Sequence, residues 1–221
     1  QCKFKSIHNG NSQTLERNLN EFSVLVRYNE AVEIIHKIQK HKGEPISTIV
    51  SSIDPFGFPT SKRGSKKDFK DSVKIISSDG IGFVHYNDIN QGLDLIGKYK
   101  VIVSQTTSEH AGEPNKDGKY KLLATVKILS PKEICTFSYI VIGGFDIKSK
   151  AQNLKSYLLT KFARFLILQA ISSIHISREK FLFLPIQDFS ETWTDTKLYK
   201  KYGITEEEIA FIDSIFFVEL C

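Results

Sequence analysis

The chain has 221 residues, of which 41% are hydrophobic, and it carries a net charge of +5 at pH 7. This length allows one large domain or two small ones with a substantial core. No apolar run approaches the ~18 residues of a membrane-spanning helix, so we expect no membrane partner.

The cysteine and methionine content bears on the redox environment of the protein and on whether the chain is part of a longer polypeptide. Cys2, Cys135 and Cys221 are odd in number, far apart and without a C-x-x-C spacing. This pattern argues against a disulfide scaffold or a zinc ribbon and predicts a reducing, cytoplasmic location. The chain starts at Gln1 and contains no methionine, so we expect it to be a region of a longer polypeptide.

Apolar spacing in the first half predicts one helix followed by strands. Residues 22–42 carry apolar residues at helical spacing and end in a basic turn before Gly43, the residue expected to stop the helix. The predicted segments, in order, are an irregular lead-in at 1–23, the helix at 22–42, a strand or short helix at 46–50, a turn at 52–60, a hairpin of strands 73–77 and 81–85, and a strand at 98–103.

The second half predicts two more strands and then helices. A long helix starts at Ala151, and Thr205 with the three acids after it predicts an N-cap. The predicted segments are strands at 122–128 and 134–142, the long helix, a buried strand at 181–185, a short helix at 195–202 stopped by Gly203, and a final helix after Thr205. The fold class is therefore α+β: a mixed, mainly antiparallel sheet with an N-terminal helix, a long helix after the sheet and a C-terminal helical tail.

The charge is distributed unevenly along the chain. Residues 148–180 contain seven basic residues and one acid, whereas residues 187–221 contain eight acids and three lysines. We expect one cationic face suited to an anionic partner and an anionic tail, with ordinary solvated charge as the alternative.

A short stretch after the 52–60 turn combines hydroxyl groups, a glycine and cations. Its candidate residues are Ser61, Lys62, Arg63, Ser65, Lys66, Lys67 and Lys70. Hydroxyls and backbone amides bind phosphate oxygens, and Lys and Arg displace counterions, so this composition predicts phosphate contact. A flexible, solvated loop is the alternative.

Motifs for catalysis are scarce. The sequence has no glycine-rich phosphate loop, no G-x-S-x-G elbow and no H-E-x-x-H. Glu113, Asp117 and Lys119 are nominal ingredients of a metal-dependent nuclease site, but Gly118 favours a turn there. Asp54-Pro55-Phe56 is interpreted as a structural turn.

Six motifs in the second half resemble one protein family. They are NLKSYLLTKF at 153–162, RFL at 164–166, FLPIQDF at 183–189, WTD at 193–195, LYKKYG at 198–203 and EEI at 207–209. Together they resemble the C-terminal region of bacterial restriction-modification DNA adenine methyltransferases, some of which are fused to a nuclease. The turn at 54–57 and the strand at 99–101 resemble the same region further upstream, so the likeness spans most of the chain after about residue 45.

In that family the region is similar to a target recognition domain, which reads the DNA sequence. The resemblance implies such a domain at 24–189, with the lead-in at 1–23 before it and the helical tail at 190–221 packed on it. It implies double-stranded DNA and a methyltransferase domain of the same polypeptide as partners. No cofactor is expected in this region, whereas the parent enzyme would use S-adenosylmethionine, and Mg²⁺ if it also cleaves DNA.

The predicted division of labour places phosphate contacts on cations and base contacts on loops. In addition to the stretch at 61–70, the candidate DNA-binding residues are Gln105, Thr106, Thr107, Asn115 and Lys116 in the loop at 104–121, and Lys155, Lys161 and Arg164 on the long helix. Two alternatives remain open. One is a protein-interaction module that docks a restriction subunit through Glu206–Glu208, and the other is the metal-dependent nuclease.

Overall fold

A computed structural model describes residues 2–8, 10–18, 20–108, 114–116 and 118–216. The fold is α+β, as predicted, with three small, mainly antiparallel sheets and with helices after the sheets and at the C-terminus. The strands are β1 Cys2–His8, β2 Asn11–Arg17, β3 Ser72–Ser77, β4 Gly80–His85, β5 Tyr99–Ser104, β6 Val126–Leu129, β7 Glu133–Cys135 and β8 Tyr139–Phe145. The α-helices are α1 Ala31–Gln39, α2 Leu93–Ile96, α3 Lys148–Leu159, α4 Lys161–Gln169, α5 Asp195–Tyr202 and α6 Glu206–Ile215. Short 3-10 helices cover Ile46–Ile49, Tyr86–Asp88 and Arg178–Phe181.

The N-terminal segment is a β-hairpin, and the irregular structure predicted for residues 1–23 is wrong there. β1 pairs antiparallel with β2. The Asn29 side-chain amide attaches the hairpin to the body by donating to the carbonyls of Phe4 and Gln13, at 2.8 and 3.0 Å. The hairpin escaped prediction because its strands are mostly polar and bury little apolar surface.

The two larger sheets share the core of the protein. One has the strand order β4-β3-β7, with the β3–β4 hairpin as predicted, and the other has the order β6-β5-β8. Successive side chains of a strand point to opposite faces. Val101 and Val103 of β5 therefore pack in a large hydrophobic cluster with the helices, while Ile102 packs in a smaller cluster under the other sheet. β5 separates the two clusters and is buried on both faces.

The long helix predicted after the sheet is two helices. Thr160 has an extended backbone conformation between α3 and α4, and its hydroxyl accepts a hydrogen bond from the Ala163 amide at 3.1 Å. The Asp195 carboxylate accepts two more, from the amides of Phe162 at 2.8 Å and Lys161 at 3.2 Å. Three amides of the first turn of α4 thus have partners. Every residue from Phe162 to Gln169 is buried, so α4 is the central helix of the large cluster.

Other element boundaries also differ from the predictions. The stretch at 181–185 is not a strand, because a 3-10 helix ends at Phe181 and Leu184 donates back to its carbonyl at 3.2 Å. The helix predicted at 22–42 begins only at Ala31, and the stretch at 46–50 takes the helical alternative. The strand predicted at 134–142 is divided between β7 and β8.

The C-terminal helices have the predicted signals. Gly203 has the left-handed conformation that ends α5, and Thr205 and Glu208 form a reciprocal capping box at the start of α6. Their apolar residues Leu198, Ile212 and Ile215 are fully buried in the large cluster, so the tail shares the core with the helices before it. No helix within the described residues is long and apolar enough to cross a membrane.

Candidate nucleic-acid interface

The stretch predicted to contact phosphate lies against the edge of β4. We call residues 60–70 the cationic segment. The amide of Ser65 donates to the Phe83 carbonyl at 2.8 Å, and the amide of Phe83 donates back at 2.9 Å. Gly64 has φ of +72°, and a Cβ at this position would lie 2.5 Å from the Phe83 carbonyl oxygen. Only glycine fits both the backbone conformation and the space, so the segment is fixed on the sheet.

Two of its cations are held by neighbouring groups. Arg63 forms an ion pair with Asp79 at 2.5 Å and donates to the Thr60 carbonyl. The Lys62 ammonium lies 5.6 Å from the centroid of the buried Phe58 ring, within the range of a cation–π contact. The charge of Arg63 is therefore balanced by Asp79, whereas Lys62 contributes positive potential from a position set by the protein.

The remaining cations of the segment are Lys66, Lys67 and Lys70, and all three are exposed. Among the residues that the structure describes, no carboxylate is close enough to form an ion pair with any of them. The Ser65 hydroxyl donates to the Lys67 carbonyl and accepts from the Lys67 amide, at 2.8 and 3.2 Å, which fixes the turn that carries these lysines. Ser61 is exposed on the same segment. The segment therefore presents three free ammonium groups and a hydroxyl on a rigid backbone.

The second predicted loop is more ordered at its base than expected. Gln105 is only 7% exposed, and its side-chain amide donates to the carbonyls of Ile53 and Tyr139, so the expectation that it reaches base edges is wrong. Its role is to join two segments of the core. Thr107 is half-buried, and its amide donates to the Ile174 carbonyl at 2.9 Å. Thr106 is exposed.

Asn115 and Lys116 lie in a tight turn and are exposed. The Asn115 amide donates to the Lys119 carbonyl at 2.9 Å, and the Asn115 side-chain oxygen accepts from the Lys119 amide at 2.9 Å. The side-chain bond fixes the orientation of the Asn115 amide. Glu113 and Asp117, the acids of the nuclease alternative, lie outside the described residues. Within the described residues, no group of three or more His, Cys, Asp or Glu side chains could hold a metal ion.

The basic residues predicted on the long helix do not form a cationic face. Arg164 is 3% exposed, and its guanidinium lies 4.9 Å from the centroid of the Phe216 ring, so the expectation that it faces DNA is wrong. Lys161 is half-buried and forms an ion pair with Asp213 of α6 at 2.7 Å. Of these three residues, Lys155, which is half-buried, is the one left for a contact with DNA. The tail helices cover the face that the spacing of α4 assigned to solvent.

One of the three acids at the start of α6 already has partners within the protein. Glu208 belongs to the capping box and also forms an ion pair with Lys37 of α1 at 2.6 Å. Glu206 and Glu207 are exposed. Docking of a restriction subunit through this stretch stays a prediction, but it would have two carboxylates to use rather than three. The turn at 54–57 is structural as predicted, because Asp54 accepts from the Gly57 amide at 2.8 Å.

Sequence reasoning missed a cleft of about 500 Å³ beside the cationic segment. We call it the Tyr86 cleft, and its lining residues are Asp71, Ser72, Val73, Tyr86, Asn87, Leu93, Ile96, Gly97 and Lys132. Its floor is apolar and buried, whereas Tyr86 and Leu93 at its rim are 47% and 51% exposed. The sequence signal for this cleft was the pair Tyr86-Asn87, which directly follows the strand predicted at 81–85. The other lining residues come from separate stretches of the sequence, so the signal did not predict the cleft.

Comparisons with known proteins add no identification. No protein-family model matches the chain, and no curated protein matches it either. The resemblance to target recognition domains therefore stays a prediction that rests on the motifs of the second half.

Proposed function

We propose that this chain is a DNA-binding module that recognises double-stranded DNA sequence-specifically, as the specificity domain of a restriction-modification enzyme. Methyl transfer, and cleavage if the parent enzyme also cuts, would take place elsewhere in the polypeptide. The observation that carries the proposal is the cationic segment, in which Lys66, Lys67 and Lys70 are exposed on a backbone fixed to β4. The family resemblance supports the restriction-modification setting.

The physical basis is counterion release. Each phosphate neutralised by Lys or Arg releases condensed cations from the duplex, which gives affinity and makes it depend on salt. A fixed backbone also loses less conformational entropy on binding than a mobile loop does, so the lysines can set the register of the protein on DNA. Lys62 adds positive potential beside the three exposed ammonium groups, whereas the charge of Arg63 is balanced by its ion pair with Asp79.

Sequence readout would fall to exposed polar groups. Asn and Lys side chains form hydrogen bonds with purine edges in the major groove, which suits Asn115 and Lys116 at their turn and leaves Thr106 as a third candidate. Gln105 and Arg164 are excluded by burial. Selection of bound duplexes from a randomised pool should enrich a defined sequence. The Asn115→Ala variant should relax the preference at one position of that sequence, and a pool that stays random with the unchanged protein would refute sequence specificity.

The test of the phosphate contacts is the affinity for a duplex across a series of salt concentrations. The triple change Lys66→Ala, Lys67→Ala and Lys70→Ala should weaken binding to all sequences alike. It should also make the negative slope of log K against log salt shallower by about 2.7, since each contact contributes about 0.9.

A matched control removes the same charge from other surfaces. It changes Lys40, Lys127 and Lys200, which are exposed directly after α1, on β6 and on α5. The proposal predicts that this control keeps the salt slope of the unchanged protein. Equal slopes for the two triple variants would refute the assigned surface, and an affinity that does not fall as salt rises would refute phosphate contact altogether.

A further inference from the structure

The Tyr86 cleft has the composition of a site for a flat ring. Its floor is made by Val73 and Ile96, which are buried, and its rim carries the exposed side chains of Tyr86 and Leu93. An aromatic face and an aliphatic side chain at the mouth of an apolar floor can hold a planar group by stacking and burial. The volume of about 500 Å³ lies within the range of ligand sites.

Polar groups at the rim can form hydrogen bonds with the edge of such a ring. Asp71 supplies a carboxylate acceptor, Asn87 supplies both a donor and an acceptor, and Lys132 supplies an ammonium group. These are the partners needed by an exocyclic amino group and a ring nitrogen of a nucleobase. A purely aliphatic ligand would form hydrogen bonds with none of these three groups.

The backbone holds two of these residues in an uncommon conformation. Asp71 and Lys132 both have left-handed φ values, of +61° and +63°, although neither is glycine. Hydrogen bonds hold both positions: the Asp71 carbonyl accepts from the Tyr86 amide at 3.2 Å, and the Lys132 amide donates to the Ile96 carbonyl at 2.8 Å. Non-glycine residues in this region are strained and tend to occur at ligand sites.

The cleft adjoins the cationic segment. Lys70 precedes Asp71 directly. The ring centroids of Phe69 and His85, the residue before Tyr86, are 4.5 Å apart. A nucleic-acid strand whose phosphates are bound by Lys70 and its neighbours would therefore carry a base past the mouth of the cleft.

We propose that the Tyr86 cleft holds one unstacked nucleobase of the bound DNA, with its ring against Tyr86 and its edge against Asp71 and Asn87. The base enters the cleft only when it is outside the duplex stack, because both of its faces are covered inside a duplex. The inference rests on the proposed function for the presence of DNA, but the cleft can be tested by itself.

The main experiment compares three duplexes of equal length by fluorescence anisotropy. One is fully paired, one carries a single unpaired adenine, and one carries an unpaired abasic nucleotide at the same position. The protein should prefer the unpaired adenine over both of the others. Tyr86→Ala should reduce that preference by about five- to 150-fold, the effect of losing one base–aromatic stack, while Tyr86→Phe should keep it. Ile81→Ala, at an exposed apolar residue on β4 outside the cleft, serves as the control and should change nothing.

The outcomes separate the two proposals. If the protein binds paired DNA through the cationic segment but shows no preference for the unpaired adenine, or keeps it after Tyr86→Ala, the cleft inference is overturned and the DNA-binding function stands. If the protein binds no DNA, the proposed function fails, and adenosine monophosphate then tests the cleft by NMR titration. Shifts that Tyr86→Ala abolishes and Tyr86→Phe preserves would support a nucleobase site, and the absence of shifts would overturn it.

Discussion

Lys100 of β5 is a lysine with no exposed surface, and it provides a quantitative test of the fold. Its ammonium group donates to the carbonyls of Lys98 at 2.9 Å and Ser130 at 3.4 Å. Burial lowers the pKa of Lys100 to about 8, although the negative charge of Glu133 acts in the opposite direction. Loss of hydration disfavours the charged form, and two carbonyls replace water only in part.

The size of the effect follows from the two pKa values of Lys100. A fall from the ordinary 10.5 to about 8 corresponds to about 3 kcal/mol. Below pH 8 Lys100 is protonated in both the folded and the unfolded chain, so the native state is destabilised by the full free-energy cost of burying the charge. Between pH 8 and 10.5 the unfolded chain still holds the proton and the native chain releases it, so the free energy of unfolding rises with pH.

The perturbation is Lys100→Met, which keeps the length of the side chain and removes its charge. Urea unfolding at a series of pH values should show the wild-type free energy of unfolding rising relative to that of the variant by up to about 3 kcal/mol between pH 8 and 10.5. The subtraction cancels the other titrating groups, and the two carbonyls that lose a donor give an offset that does not vary with pH. Lys127→Met, on the exposed side of β6, should give a constant difference. A constant difference for Lys100→Met as well would refute the reasoning.

Two further changes test the contacts that set the architecture. Asp195→Ala should lower the free energy of unfolding by about 2–4 kcal/mol, because two amides at the start of α4 lose a charged acceptor. Thr194→Ala is the control, because it removes one exposed cap of α5, and it should lower the free energy of unfolding by about 1 kcal/mol. Equal losses for the two variants in urea unfolding would contradict the role of Asp195. Gly64→Ala should cost about 2 kcal/mol or more, because its Cβ meets the Phe83 backbone at a left-handed φ, and it should weaken DNA binding as the lysine variants do. Gly203→Ala, at a left-handed position with open space, should cost only about 1 kcal/mol, so a similar result at Gly64 would show that the cationic segment is not fixed on β4.

Features that depend on neighbours a few residues apart were predictable from the sequence. The β3–β4 hairpin, the end of α5 at Gly203 and the N-cap at Thr205 formed as expected. The same holds for the Asp54 turn, whose hydrogen bond spans three residues. In each of these cases the side chain or the backbone conformation that makes the structure is present in the local sequence.

The break of the long helix at Thr160 could not be predicted in this way. Part of the signal was local, since Thr is a common N-cap. The decisive partner is Asp195, which lies 34 residues after Lys161 and supplies acceptors for two amides. Apolar spacing continued across Thr160, so the pattern alone favoured one helix.

For the candidate interface, the sequence by itself determined which groups are present: a run of hydroxyls and cations at 61–70, polar residues at 104–121 and a basic helix. Only the tertiary structure decided which of them meet solvent. It buries Gln105 against a carbonyl 52 residues away, covers Arg164 with the ring of Phe216, and leaves Lys66, Lys67 and Lys70 exposed on the cationic segment beside β4. It also assembles the Tyr86 cleft from four separate stretches of the chain. The physical reason is that the exposure of a side chain depends on whatever packs over it, and here the covering groups come from distant parts of the sequence.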